Sequence, residues 1–399
     1  MGALFIAIIY LIALKYILSL ATPTGAYVSC SHNLQSVMRR KVPESICLAY
    51  CNWNQADIQV LESVRNGVNV LIWFSVNIAK NEDGECFVQG GPDIKEVVRL
   101  MKQMRDEGFV DVVHLMSIGG WNSPHPDTSF SAQTMFDTLD KWNREIAIKG
   151  GIEGGSGLFD GFDWDVEGND DFDSPYNVFT VECIDTMGQL SQLLKKQGYV
   201  VAIAPAESYL DPTTSEFSLR LNHNHPEWTA IQPKFLYRGR NIYAYLLARY
   251  GETSLSDSSV TETFDFVTIQ LYEGYSHALW NIRVRPEGSI SPAEHITELL
   301  LSLKEGWDVN FQSCPELQLG TTTLSLDPQR VVIGLANGWA GEPENKFLFL
   351  TPQELQEVYT ELIAQNLRPR GMAFWCIAHE GDKDTYLASA ISSIQNSTV

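Results

Sequence analysis

Positive charge is scarce in this 399-residue chain: 28 Lys and Arg stand against 49 Asp and Glu, for a formal net charge of −21. A surface that acidic repels phosphate backbones and anionic lipid. Nucleic-acid and peripheral-membrane partners are therefore not expected, while a neutral polysaccharide substrate is compatible. Beyond the N-terminus no stretch is long and apolar enough to span a bilayer. Internal repeats and low-complexity tracts are missing, which removes repeat architectures. Cysteine is sparse and odd in number, seven residues, so at least one thiol stays unpaired within the chain. The Cys47 to Cys51 spacing is not that of a zinc ribbon, and His223-Asn-His225 has no evident third ligand. No metal and no cofactor are expected. The glycine cluster GGIEGGSG (150–157) precedes a strand candidate, so it is no phosphate loop, which needs strand, glycines and helix in that order. The one N-x-S/T sequon, Asn396-Ser397-Thr398, lies at the C-terminus.

Residues 3–14 are apolar, Lys15 interrupts the run, and small residues follow at Ser19 and Ala21. That pattern predicts a signal peptide over 1–21 and a secreted protein. An uncleaved anchor is the alternative, because apolar residues continue to Ala21 and no Lys or Arg precedes them. Residues 22–45 read as an N-terminal extension, and 46–399 as one domain. The length exceeds the usual domain size, but α/β barrels run larger as single domains.

Short apolar runs alternate with longer amphipathic ones. Strand candidates are 46–50, 69–76, 111–118, 158–166, 199–205, 264–272, 330–336 and 371–377. Most are apolar throughout, as in parallel strands covered on both faces. Helix candidates are 54–67, 92–107, 131–148, 176–197, 239–249, 291–305, 352–366 and 384–395. Ser291-Pro292 and Thr351-Pro352 each place a capping residue before a proline at the first helical position. Eight strands, each followed by a helix, predict an α/β fold of the (β/α)8 TIM-barrel type. An open doubly wound sheet is the alternative.

The fourth strand candidate carries Asp160-Gly-Phe-Asp163-Trp-Asp165-Val-Glu167. Side chains alternate along a strand, so Asp163, Asp165 and Glu167 share one face while Trp164 and Val166 take the other. In a barrel the three acids form an inward column rising to the C-terminal mouth, with Glu167 last. Stacked carboxylates cannot all stay ionised, so at least one keeps its proton near neutral pH, as a general acid for glycoside cleavage requires. A calcium-binding loop is the competing reading. The interleaved Phe, Trp and Val suit a buried strand better.

This stretch resembles the DxxDxDxE motif of glycoside hydrolase family 18, the chitinase family. Ser117-Ile-Gly119-Gly120-Trp121, ending strand three, looks like the family's SxGG signature. Gln270-Leu-Tyr272, ending strand six, is similar to its QxY variant, and Trp375 on strand eight to the tryptophan that floors the central sugar site. The resemblance covers about residues 46–395. It implies a retaining mechanism in which the substrate's own 2-acetamido oxygen is the nucleophile. Glu167 would then be the acid, Asp165 would orient the acetamido group, Asp163 would share a proton with Asp165, and Tyr272 would bond the acetamido oxygen. Ser117 would bond Asp163, and Gly119 and Gly120 would let the backbone come close. Asp160, of opposite parity, is expected to bond backbone at the strand entry. Trp375, Gln270, Tyr50, Trp121 and Tyr209 are the expected substrate-binding residues. Trp53, Tyr275 and Trp339 also follow strand ends and are as easily explained by core packing; Trp73 and Trp164 read as core.

Two features depart from the family pattern. Glu273 stands where many members carry Asp or Asn, and strand five reads APAES without the Met or Gln common nearby. Only about fifteen residues separate strand seven from the next helix, which leaves no room for an insertion domain and implies a shallow, open cleft. The expected activity is hydrolysis of β-1,4-linked N-acetylglucosamine glycans by a monomer. An endo-β-N-acetylglucosaminidase acting on N-glycan cores, and a non-catalytic glycan-binding protein, are the alternatives.

Overall fold

Strand and helix alternate in space as the apolar periodicity alternates in sequence. The computed structural model describes residues 40–51, 57–151, 157–171, 173–221, 240–273, 276–284, 288–337, 340, 347–379 and 387–397. Residues 1–39, and with them the signal segment and Cys30, lie outside the described residues, as do Trp53, His223, His225, Tyr275 and Trp339. The sheet consists of β1 (Ile46–Cys51), β2 (Val70–Lys80), β3 (Val113–Gly120), β4 (Gly161–Val166), β5 (Val200–Ile203), β6 (Phe266–Gln270), β7 (Val331–Ala336) and β8 (Gly371–Trp375). Each strand pairs in parallel with the next, and β8 returns to β1, with Ile46 opposite Gly371 and Leu48 opposite Val70. That closure excludes the open-sheet alternative. After each strand comes a helix: α1 (Asp57–Arg65), α2 (Ile94–Asp106), α3 (Ala132–Lys149), α4 (Val181–Lys196), α5 (Ala244–Tyr250), α6 (Pro292–Glu305), α7 (Pro352–Ala364) and α8 (Leu387–Asn396). The fold is a (β/α)8 TIM barrel. Among the described residues no helix is long and apolar enough to cross a membrane.

Strand parity divides the core in two. Inward residues such as Leu48, Ile72, Leu115, Ala202, Phe266 and Ala373 fill the barrel. Outward residues such as Trp73, Phe162, Trp164, Ile269 and Ile333 meet the helices. Trp73 and Trp164 are core, as expected, at 2% and 0% exposed. The predicted caps form: Ser291 Oγ accepts from Glu294 N, and Thr351 with Glu354 makes a reciprocal capping box. Cys51, Cys86, Cys183 and Cys314 are free thiols.

Three boundaries differ most from the sequence reading. β2 runs on to Lys80 because Val76–Lys80 pair antiparallel with Cys86–Gly90, around a turn that includes Gly84 at φ 82°. α4 starts at Val181, where the Thr180 hydroxyl accepts from Cys183 N. α5 starts at Ala244, later than periodicity suggested.

The far end of the barrel is tied down by residues of the expected N-terminal extension. Val42 packs against the interior cluster. Arg40 reaches Asp160, with Nη1 at 2.8 Å from Oδ2 and its backbone N at 3.2 Å from Oδ1. Asp160 also accepts from His114 N at 2.9 Å, the backbone role expected of it at the strand entry. Replacing a buried carboxylate that holds three donors leaves them unpaired. Asp160→Ala should therefore destabilise the fold by about 2–3 kcal/mol. A urea-unfolding midpoint measures this, and an unchanged midpoint would show the staple to be dispensable.

Candidate active site

β4 delivers its acids as parity requires. Asp163 stands opposite Ser117 of β3, and Asp165 opposite Gly119. Asp163, Asp165 and Glu167 are 0%, 4% and 5% exposed. The run lies in a buried strand, which removes the calcium-loop reading. The neighbouring glycines are needed as glycines. Gly119 has φ 105°, and a Cβ there would lie 2.6 Å from the Asp165 carbonyl oxygen. At Gly120, φ is 112° and a Cβ would lie 2.2 Å from the Phe74 ring.

Burial dominates the electrostatics. It pushes Asp163 and Glu167 well above the usual carboxylate range, and neighbouring carboxylates add to both. Asp165 is pushed up to about 7 by burial, against the opposing effect of its hydrogen bonds to Glu167 and Gln270. The largest influences on these three acids are burial, neighbouring carboxyls and hydrogen bonds with Tyr50 and Gln270. Such a site holds protons near neutral pH and favours positive charge that develops inside it.

The expected residues converge, with corrections. Asp165 hydrogen-bonds Glu167. It does not share a proton with Asp163, whose Oδ2 takes the Tyr50 hydroxyl at 3.3 Å and whose Oδ1 has no partner. Tyr50 is thus a donor to Asp163 more than a cleft wall. Ser117 is in register with Asp163 but its Oγ makes no hydrogen bond, so the expected bond is absent. Gln270, expected on the substrate, is 2% exposed; its Nε2 bridges Asp165 Oδ1 at 2.8 Å and Ala204 O at 2.7 Å. It orients Asp165. Tyr272 faces the acids: burial, then Asp165, Glu167 and Glu273, raise its hydroxyl well above the usual value and keep it a donor. Trp375 is half-buried at the mouth, with ring centroids 5.6 Å from Tyr50 and 4.8 Å from Phe74. Trp121 is half-buried at the rim and donates to Asp170 at 3.0 Å. Tyr209 is misassigned as a sugar contact. It is 1% exposed and stacks on Tyr243 in the core, because a short 3-10 turn (Glu207–Tyr209) turns it away from the mouth.

The departure noted at position 273 turns out to sit in the site. Glu273 is 8% exposed and hydrogen-bonds Glu167. Its charge opposes ionisation of both Glu167 and Asp165. Glu273→Gln should remove that repulsion and lower the Glu167 pKa. The alkaline limb of the kcat/KM profile then moves to lower pH, by roughly one unit. A pH–rate profile tests this, and a limb that stays put or moves up would separate Glu273 from the acid. Sequence reading also missed Tyr243, whose hydroxyl bonds Val166 N and O, and Asn337, whose Nδ2 donates to Cys376 O at 2.6 Å.

No family model matches the chain, and no curated protein does. Solved structures do. A chitinase from Aspergillus fumigatus aligns over 89% of this chain and 100% of its own, at 14% identity and TM-score 0.51. The chain has the barrel fold of a chitinase. A family 18 chitinase from Pseudoalteromonas aurantia matches over 88% of this chain and 100% of its own, at 14% identity and TM-score 0.49. A fungal family 18 endo-β-N-acetylglucosaminidase matches over 89% and 98%, at 13% identity and TM-score 0.49.

Proposed function

We propose that the chain is a member of glycoside hydrolase family 18, a secreted retaining hydrolase of β-1,4-linked N-acetylglucosamine glycans. One observation carries the mechanism: the Asp165 and Glu167 carboxyls are in hydrogen-bond contact. Carboxylates that act as acid and nucleophile on opposite sides of a glycosidic bond stand about 5 Å apart. A pair in direct contact cannot straddle the bond, so the nucleophile comes from the substrate. Glu167 gives its proton to the leaving oxygen as the anomeric C–O bond breaks. The 2-acetamido oxygen bonds to the anomeric carbon and forms an oxazolinium ion. Asp165 accepts from the acetamido N–H and stabilises the positive charge, while Tyr272 donates to the acetamido oxygen. Glu167 then takes a proton from water as the water oxygen attacks the anomeric carbon, which regenerates the acid and opens the ring.

Chitooligosaccharides, a high-mannose glycopeptide and cello-oligosaccharides, which lack the acetamide, test the reading. Cleavage of the first with retained anomeric configuration is expected, and no cleavage of the last. Equal cleavage of cello-oligosaccharides would sink the acetamide route. Release of glycan from the glycopeptide alone would move the substrate to N-glycan cores. Cleavage of none of them by the wild type would sink the hydrolase reading and favour a binding protein on this fold.

A further inference from the structure

Past Trp164, which pairs with Ile203, β4 has no partner on its β5 side. The segment carrying Glu167 is instead held by groups from elsewhere, since its buried backbone polar atoms need partners. The Tyr243 hydroxyl accepts from Val166 N at 2.9 Å and donates to Val166 O at 3.0 Å. Asn122 N donates to Gly168 O at 2.9 Å, and Asn169 N donates to Asn177 Oδ1 at 2.8 Å. The carbonyl of Glu167 itself meets His125 Nε2 at 2.9 Å. A carbonyl only accepts, so this contact is a hydrogen bond when Nε2 carries the ring proton.

His125 is held firmly. It lies between Pro124 and Pro126, whose φ angles are fixed by their rings. Its imidazole packs against Phe179 and Tyr176, with centroids 4.6 and 5.4 Å away. Burial lowers its pKa, against the opposing effect of hydrogen bonds to the Glu167 and Tyr176 main chain, so the ring is neutral near pH 7 and its one proton can serve only one of these two carbonyls; the Glu167 contact, at 2.9 Å, is the one that claims it. The same ring lines a cavity of about 510 Å³ shared with Asn77, Lys80 and Tyr176.

We propose that His125 is a positioning residue for Glu167: its Nε2–H fixes the main-chain carbonyl of the acid, and with it the height at which the carboxyl stands over the scissile bond. The inference rests on Glu167 being the acid. A displacement of about 1 Å at such a group costs on the order of 100-fold in rate. His125→Gly should therefore lower kcat about 30-fold while KM stays within about twofold, because no substrate contact is lost.

The hole left by His125→Gly is continuous with the cavity, so imidazole added in solution should restore kcat at least severalfold. 1-Methylimidazole fills the same space but in its neutral form has no N–H, and should restore nothing. Equal rescue by both, or a kcat within twofold of wild type, would overturn the proposal. Imidazole nitrogen shifts of the wild type provide a readout that needs neither turnover nor a stable variant. The Nε2–H tautomer with a slowly exchanging proton is expected, and an Nδ1–H tautomer would overturn the proposal. A wild type that cleaves no glycan would sink the functional reading above, whereas the tautomer result bears on the His125 bond alone.

Discussion

Glu167→Gln should lower kcat on chitooligosaccharides by about 1000-fold or more, with KM little changed and the fold intact. The amide fills the same volume and can still donate toward Asp165, so the hydrogen-bonded row survives. What it cannot do is release a proton to the leaving oxygen or take one from water. Retained folding is expected for a further reason. Burial and the charges of Asp165 and Glu273 already favour the neutral form of Glu167, and an amide is neutral at every pH. Steady-state kinetics with a thermal-unfolding control measures both effects. A loss smaller than tenfold would hand the proton to Glu273, whose carboxyl touches Glu167 and is itself buried.

The acid column was legible because period-2 alternation is a local rule: once the run lies on a strand, parity alone places Asp163, Asp165 and Glu167 together. The caps at Ser291 and Thr351 were legible for the same reason, being written in neighbouring residues, whereas barrel closure, which sets Ile46 opposite Gly371, was inferred from the count of eight strand–helix units. The β2 hairpin had a local signal too, the Asn81-Glu-Asp-Gly84 turn, which the apolar-run reading of residues 69–76 passed over. Other features have no local signal. Tyr243 holds Val166 across 77 positions, and His125 holds Glu167 across 42. Nothing in SPHPD or NIYAY indicates which backbone carbonyl lies within reach. Tyr209 fails differently. An aromatic residue after a strand looks the same in sequence whether it faces the mouth or the core, and the 3-10 turn decides which. Gln270 was placed at the site but given to the wrong partner, because a motif names its residues without saying which bonds they make.

Asp165→Asn separates catalysis from stability, because the two effects have opposite signs. In the substrate-assisted route the carboxylate stabilises the cationic oxazolinium, and an asparagine cannot supply that charge. A loss of about 100- to 1000-fold in kcat is expected, the range for removing one preorganised electrostatic partner. Stability goes the other way. Asp165 is raised to about 7 in the folded chain, against about 3.9 when unfolded. Its proton therefore stabilises the native state fully below about pH 3.9, and that contribution is lost as pH rises through 7. Asparagine keeps a neutral group at this position at all pH values. The variant should gain thermal stability over the wild type at pH 7–8, and its stability should vary less between pH 4 and 7. Thermal melts across that range, paired with turnover of chitooligosaccharides, check both halves. A variant that loses activity and stability together at pH 8 would show that the Asp165 carboxylate holds the site together, and the raised pKa would have to be abandoned. Unchanged turnover would instead remove Asp165 from the acetamide chemistry and leave Glu167 without its partner.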